Sequence, residues 1–321
     1  MTKVSIIVPM FNEARHIERT LQAAARAARF SGLAHELIVV DNGSSDGGAA
    51  IAQRLGAKVL VVPGVTIGAL RNRGAQASQG DWLAFLDADI EVPQNWLTVL
   101  MTLYRDGEGD VLALSCVAPG KAPWYARAWQ RRTLPANDHL RDRNWLPAPN
   151  LLMLRSWHER VGGFDEQLRT GEDRDFTLRL RQAGARLRMA RQPSVLHWGY
   201  EHSWSEWLRK ELWRQGSHLQ LLRQHGPNLR LLRFPLSSLA LWVVEGSSLL
   251  ALGAGHASQA LLLLVLGALP ALALSLRQGF RQGDSLLLLQ LWGLHWIRLH
   301  LAGGALALSL FNLQTRRPAR G

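Results

Sequence analysis

Val4-Ser-Ile-Ile-Val-Pro-Met-Phe-Asn-Glu13 is an apolar run that ends at Pro9 and turns polar at Asn12-Glu13. Apolar residues at consecutive rather than alternate positions are what a strand buried on both faces of a parallel sheet requires. Four similar segments follow at Glu36–Val40, Lys58–Val62, Trp82–Leu86 and Val111–Val117. Helical patterns lie between them, such as Ile17, Leu21, Ala24 and Ala28 behind a capping Asn12. This alternation through the first 120 residues predicts an α/β fold with an open, doubly wound, mostly parallel sheet flanked by helices. Ligands of such sheets bind beyond the carboxyl ends of the strands. The polar motifs fall there: Asn12-Glu13, Asp41-Asn-Gly-Ser-Ser-Asp46 and Asp87-Ala-Asp89.

Further along, residues 119–149 hold five prolines and no sustained period, and read as a loop region over the cleft. Regular structure resumes at Asn150–Arg155, then as a helix from about Asp173 to Gln182 and a strand at Arg186–Ala190 before His197. The chain of 321 residues changes character near residue 200. We therefore expect a domain at 1–200, basic and Trp-rich interfacial helices at 201–235, and a hydrophobic helical tail at 236–321.

The tail contains two candidate spans, Leu236–Gly253 and Gln259–Leu276, near the lower length limit for crossing a hydrocarbon core. Glu245 inside the first would cost about 2.5–3.5 kcal/mol if unpaired. A third region, Ser285–Leu310, is interrupted by Trp292, His295, Trp296, Arg298 and His300. Arg277, Arg281, Arg316, Arg317 and Arg320 argue, by the positive-inside tendency, for two crossings plus an interfacial or re-entrant third segment. The first domain would then face the cytosol. A soluble Leu-rich helical subdomain is the other reading.

The net charge is +12, and residues 200–321 carry twelve Lys or Arg against five Asp or Glu, or +7 of that total. Arg residues interleaved with Trp204, Trp207 and Trp213 read as a membrane-surface belt. No nucleic-acid-binding motif accompanies the charge. The single cysteine, Cys116, allows no intrachain disulfide, favours a reducing compartment and lies in a core strand without a catalytic role. The first apolar run is too short for the core of a signal peptide.

Asp-x-Asp occurs twice, at Asp87-Ala-Asp89 and Asp173-Arg-Asp175, and roughly one is expected by chance in a chain of this size. The first gains weight from ending a buried strand, where two carboxylates suit a hard divalent cation bridging a diphosphate. A solvated turn capping the helix near Pro93 is the plain alternative.

In order, Val4–Glu13, Val39-Val-Asp-Asn-Gly-Ser-Ser-Asp46, Phe85-Leu-Asp-Ala-Asp89, Gly162-Gly-Phe-Asp-Glu166 and Gly171-Glu-Asp-Arg-Asp175 closely resemble the family-2 glycosyltransferases of the GT-A fold. The resemblance covers about residues 3–200, and the tail is similar to the membrane-associated ends of bacterial members. It implies that Pro9, Glu13 and Asp41 line a nucleotide pocket, with Asp41 accepting from the base. Ser44 and Asp46 read as turn and cap residues. It further implies that Asp87 contacts the ribose or a metal-bound water, that Asp89 coordinates Mg²⁺ or Mn²⁺, and that His197 is a further ligand. Arg71 would reach the diphosphate or lie on a solvated helix face. Asp173 is the implied general base. Glu172 helps tune it, is a second candidate, or, with Asp175, caps a helix. Gly162 and Gly163 permit a close backbone approach or a turn.

The expected activity is inverting, metal-dependent transfer from a nucleotide-sugar, a UDP-sugar first among them, to a lipid or lipid-linked glycan at the cytosolic face of the inner membrane. Trp213-Arg-Gln-Gly216 lacks the Q-x-x-R-W pattern of processive members, so single addition is expected over polymer synthesis. A non-catalytic sugar-nucleotide-binding subunit of a membrane polysaccharide complex is the alternative. A nucleotidyltransferase would want a Gly-rich basic loop after the first strand, and a dinucleotide dehydrogenase a G-x-G-x-x-G; neither is present.

Overall fold

A computed structural model describes residues 3–134, 140–215, 229–279 and 283–310. The chain divides into two compact units, Met1–Lys121 with Asn137–Tyr200, and Ala122–Ala136 with Glu201–Gly321.

The first unit begins β1 (Lys3–Met10), α1 (Ala14–Ser31), β2 (Ala34–Asp41), α2 (Gly48–Arg54), β3 (Lys58–Val61), α3 (Ile67–Gln76) and β4 (Trp82–Leu86). A two-residue β5 (Ile90–Glu91), α4 (Trp96–Arg105) and β6 (Val111–Val117) follow. Strands β1 to β4 pair in parallel in the order β3-β2-β1-β4. Residue parity explains why these strands are apolar throughout. Val4, Ile6, Val8, Ala84 and Leu86 face one core with α1 and α4, while Ile7, Leu83 and Phe85 face another.

Beyond β4 the sheet becomes mixed. β8 (Asn150–Leu154) inserts antiparallel between β4 and β6, and β6 pairs in parallel with β9 (Leu187–His197). β5 and the short β7 (Arg141–Asp142) pair antiparallel with β9. Helices α6 (Arg155–Arg160) and α7 (Glu172–Gln182) complete this unit. The last strand is longer than the expected Arg186–Ala190. A register shift between Leu114 and Cys116 lets β9 continue from Ala190 to pair Val195 and Leu196 with the end of β6.

The second unit contains α5 (Trp124–Arg131), α8 (Trp204–Gln215), α9 (Leu229–Gly253), α10 (Ala257–Gly279) and α11 (Ser285–Leu310). Two expectations are corrected here. Residues 119–149 are not simply a loop: Trp124–Arg131 is helical, buries Tyr125, Ala126, Ala128 and Trp129, and belongs with residues after 200. Nor does Trp207 sit in a surface belt. It is fully buried against Trp129 at 5.3 Å between ring centroids, and Arg214 is committed to Glu201 at 3.0 Å and Glu211 at 3.2 Å. Of the three tryptophans of the expected belt, Trp204 stays exposed, at 39 %, and Trp213 is half-buried.

Helices α9 and α10 are each long and apolar enough to cross a membrane, over Phe234–Gly253 and Ala257–Gln278. Glu245 is paired, its carboxylate lying 2.8 Å from His300 Nε2 on α11. The 26 residues of α11 run as one helix. Arg281 and the arginines at 316, 317 and 320, on which the orientation argument rests, lie outside the described residues.

Candidate active site

Parallel pairing of β1 with β2 sets Pro9 beside Val40 and Met10 beside Asp41, so both strands deliver their polar ends to one edge. The Asp41 carboxylate, 2 % exposed, accepts from the Ser44 amide at 3.1 Å and from the Ser44 hydroxyl. Ser44 Oγ accepts in turn from the Asn12 amide at 2.8 Å, and Asn12 Oδ1 accepts from the Ser45 amide at 3.0 Å. Asp46 accepts from Ala14 N at 2.7 Å and Gly48 N at 3.0 Å, which caps the first turns of both α1 and α2. Glu13, buried, supplies the carbonyl that starts α1. The two loops are thereby stitched together, and Pro9, Glu13 and Asp41 share their edge.

Asp87 and Asp89 follow β4. The Asp87 amide donates to Pro149 O at 3.0 Å, and Thr20 Oγ1 donates to Ala88 O at 2.7 Å, so the loop is gripped from both sides. Asp89 is 2 % exposed, and its Oδ2 lies 3.2 Å from His197 Nε2. That approach follows from the β5–β9 ladder, which sets Ile90 opposite His197. Among the described residues no three His, Cys, Asp or Glu side chains converge as a ready cation cage. One buried carboxylate oxygen and one imidazole nitrogen nevertheless fit a Mg²⁺ or Mn²⁺ ion that takes its other ligands from phosphate and water.

Arg71 corrects the solvated-face alternative: it is 2 % exposed. Its Nη2 reaches Asp87 at 2.9 Å and its Nη1 reaches Glu172 at 2.8 Å, across 101 residues of chain. Both amino ends are therefore held by carboxylates, and they tie the end of β4 to the start of α7. Gly171, at φ 78°, opens that helix, and no side chain caps it. Glu172 turns to Arg71 and Asp175 to Arg179 at 2.6 Å instead of to the helix amides. Asp173 is half-buried. Burial and the neighbouring Glu172 carboxylate push its pKa up to about 7, against the pull of Arg71 and of the Arg174 amide. The cluster thus holds two carboxylates on one guanidinium, with Asp173 next to them in the chain.

Two organising residues were not singled out from sequence. Asn72 binds Phe164 through both amide groups, with Nδ2 donating to Phe164 O at 2.8 Å and Oδ1 accepting from Phe164 N at 2.9 Å. It also donates to Glu166 at 3.0 Å, which fixes the Gly162–Glu166 turn over α3. Trp198 is the other; its indole N–H donates to Glu91 at 2.7 Å. Their adjacency to Arg71 and His197 was the available signal. Cys116 stays inert, because burial and then the Asp87 carboxylate push its thiol far up, against the pull of Asn150 3.5 Å from the sulfur.

The glycine pair divides in a testable way. Both have positive φ, 72° and 74°, but a Cβ at Gly162 would meet nothing within 4 Å. At Gly163 it would lie 2.6 Å from Asn72 Oδ1 and 3.0 Å from His158. Gly162→Ala should cost about 1 kcal/mol of left-handed strain, and Gly163→Ala clearly more, about 2–3 kcal/mol. Thermal unfolding of both variants side by side checks the order.

Comparison with known proteins bears on this arrangement. Residues 5–163 match the model for glycosyl transferase family 2. The glycosyltransferase AglE of Haloferax volcanii is 28 % identical over 251 residues, spanning 76 % of this chain and 80 % of that protein. The pre-mycofactocin glycosyltransferase of Mycobacterium tuberculosis is 28 % identical over 255 residues, of which this chain spans about half the length (52 %). Among solved structures, the mannosyltransferase PcManGT from Pyrobaculum calidifontis, in complex with GDP-Man and Mn²⁺, superposes with a TM-score of 0.59 at 17 % identity. That superposition covers 96 % of this chain and 87 % of the other, and it is a likeness of fold.

Proposed function

Residues 5–163 belong to glycosyl transferase family 2, and from that premise we propose that this glycosyltransferase inverts configuration by a single displacement, with Asp173 as the general base. The observation that carries the reading is the Asp173 carboxyl, raised to about 7 beside Glu172, with Arg71 joining Glu172 to Asp87. A base with that value is about half ionised at neutral pH and accepts a proton readily. Asp173 takes the proton of the acceptor hydroxyl as its oxygen bonds to the anomeric carbon, and the bond to the nucleoside diphosphate breaks on the opposite side. Arg71 then acts as an electrostatic strut that ties Glu172 and Asp87 together near the base, rather than as a ligand of the diphosphate.

At the other end, Pro9, Glu13 and Asp41 line the nucleotide site, and Asp87 faces the ribose or a water on the cation. The donor is a nucleotide-sugar, with UDP- and GDP-sugars the first to test. Asp89 and His197 would hold a divalent cation, which would neutralise charge building on the leaving diphosphate.

The acceptor, in this reading, is a lipid or a lipid-linked glycan at the cytosolic face of the inner membrane. The support is the pair of spanning-length helices, whose Leu249, Leu250, Leu261 and Leu262 are 60–78 % exposed and therefore want a hydrocarbon environment. Two crossings by α9 and α10, with α11 held to them through Glu245–His300, would bring the amino-terminal domain close to its acceptor.

The test is nucleotide release from UDP- and GDP-sugars by full-length protein in detergent, with Mn²⁺, Mg²⁺ or chelator. Turnover of one donor, its loss in chelator, and a drop of at least about a hundredfold in Asp89→Ala are the expected results. Undiminished turnover in chelator would remove the metal from the mechanism. If a donor is bound and none is turned over, the reading of a non-catalytic sugar-nucleotide-binding subunit would take its place.

A further inference from the structure

The distance between Asp89 and His197 depends on very little regular structure. β5 is two residues long, and only Ile90 and Glu91 pair with β9. A ladder that short is weak by itself, and a slip of one residue would turn His197 to the other face of the strand. Something beyond the ladder must hold the register.

Trp198 meets that requirement. Its backbone amide donates to Asp89 O at 2.9 Å, which extends the ladder by one bond at the residue that matters. Its indole N–H donates to Glu91 Oε2 at 2.7 Å. Two cations lie against the ring: the Arg19 guanidinium at 3.9 Å and the Lys121 ammonium at 4.8 Å from its centroid. Arg19 also approaches Glu91 at 3.8 Å, and the next residue, Thr20, bonds Ala88 O at 2.7 Å. Helix α1 therefore grips both sides of the loop that carries Asp89, and the indole is the common surface.

We propose that Trp198 is a positioning residue for cation binding: clamped by Glu91, Arg19 and Lys121, it holds His197 against Asp89. This rests on the reading of Asp89 and His197 as the cation pair. Residues one step behind metal ligands commonly change affinity by about 10–100-fold when removed, and Trp198 belongs to that class by its contacts.

The experiment titrates Mn²⁺ into full-length protein in detergent, with and without UDP or GDP, and follows bound Mn²⁺ by electron paramagnetic resonance. Wild type, Asp89→Ala, Trp198→Leu and Trp198→Phe are compared. Trp198→Leu should weaken Mn²⁺ binding about 10–100-fold, with kcat at saturating Mn²⁺ within about threefold of wild type. Trp198→Phe keeps a ring for the cations but loses the bond to Glu91, so it should fall between the two. It also serves as the measurement if the leucine variant fails to fold. Equal Mn²⁺ affinity in wild type and both Trp198 variants, with Asp89→Ala impaired, would overturn the positioning role and leave the cation pair standing. Absence of Mn²⁺ binding in wild type, or binding unaffected by Asp89→Ala, would overturn both.

Discussion

Asp173→Asn should lower kcat by about 10²–10⁴-fold while leaving donor binding within a few-fold of wild type. The amide keeps the shape of the carboxyl but cannot take the acceptor proton. In the wild-type protein kcat/KM should fall about tenfold per pH unit on the acid side of pH 7, where the carboxyl becomes protonated in the free enzyme. The stability of the same variant supplies an independent check. The folded state raises this carboxyl from an ordinary 3.8 to about 7, so between those values the folded protein binds a proton that the unfolded chain releases. Its contribution therefore favours folding at low pH and is lost as pH rises through 7. Asn carries no charge at any pH, so Asp173→Asn should melt above wild type at pH 8, and the gap should narrow below pH 7 and close as pH approaches 4. Donor hydrolysis with normal kcat in Asp173→Asn would move the base elsewhere, to Glu172 first.

The strands were legible because burial on both faces leaves an uninterrupted apolar run. Trp82–Leu86 and Val111–Val117 are found at the expected bounds, and Val4–Val8 lies within Lys3–Met10. The helix at Glu172–Gln182 was equally visible, one residue earlier than expected. The helix at Trp124–Arg131 was not, although Tyr125 and Trp129 sit one turn apart on its buried side. Eight residues among prolines give too few turns for a period to stand out, and its partner Trp207 lies far along the chain. The same limit applies to the site. Motif order brought Asp41, Asp87, Asp89 and Asp173 to notice one by one, but the contacts of Arg71 join residues 16 and 101 positions away. Local pattern carries no information about such pairings; topology creates them. An arginine on a helix surrounded by Asn72 and Arg73 reads as solvated until the strand end and the start of α7 are known to meet over it.

That burial makes Arg71 the residue with the largest expected effect on stability. Arg71→Met preserves much of the side chain's volume and removes the one charge that Asp87 and Glu172 share. Leaving buried carboxylates without their cation costs about 3–5 kcal/mol. Asp87 is 28 % exposed and recovers some hydration, whereas Glu172 at 9 % does not. The loss in melting temperature should therefore be plain at pH 8, where calorimetry of the two proteins side by side checks it. Activity should follow a second course. Arg71 normally pulls the Asp173 value down, so its removal should carry the acid limb of the pH–rate profile above 7. Arg71→Lys separates the two effects: one ammonium restores the charge but cannot bridge two carboxylates as a planar guanidinium does. It should hold the acid limb near 7 while recovering only part of the stability. If Arg71→Met melts like wild type at pH 8, the three carboxylates are not coupled through this side chain. The elevation of Asp173 then stands on burial and Glu172 without a counter-pull from Arg71.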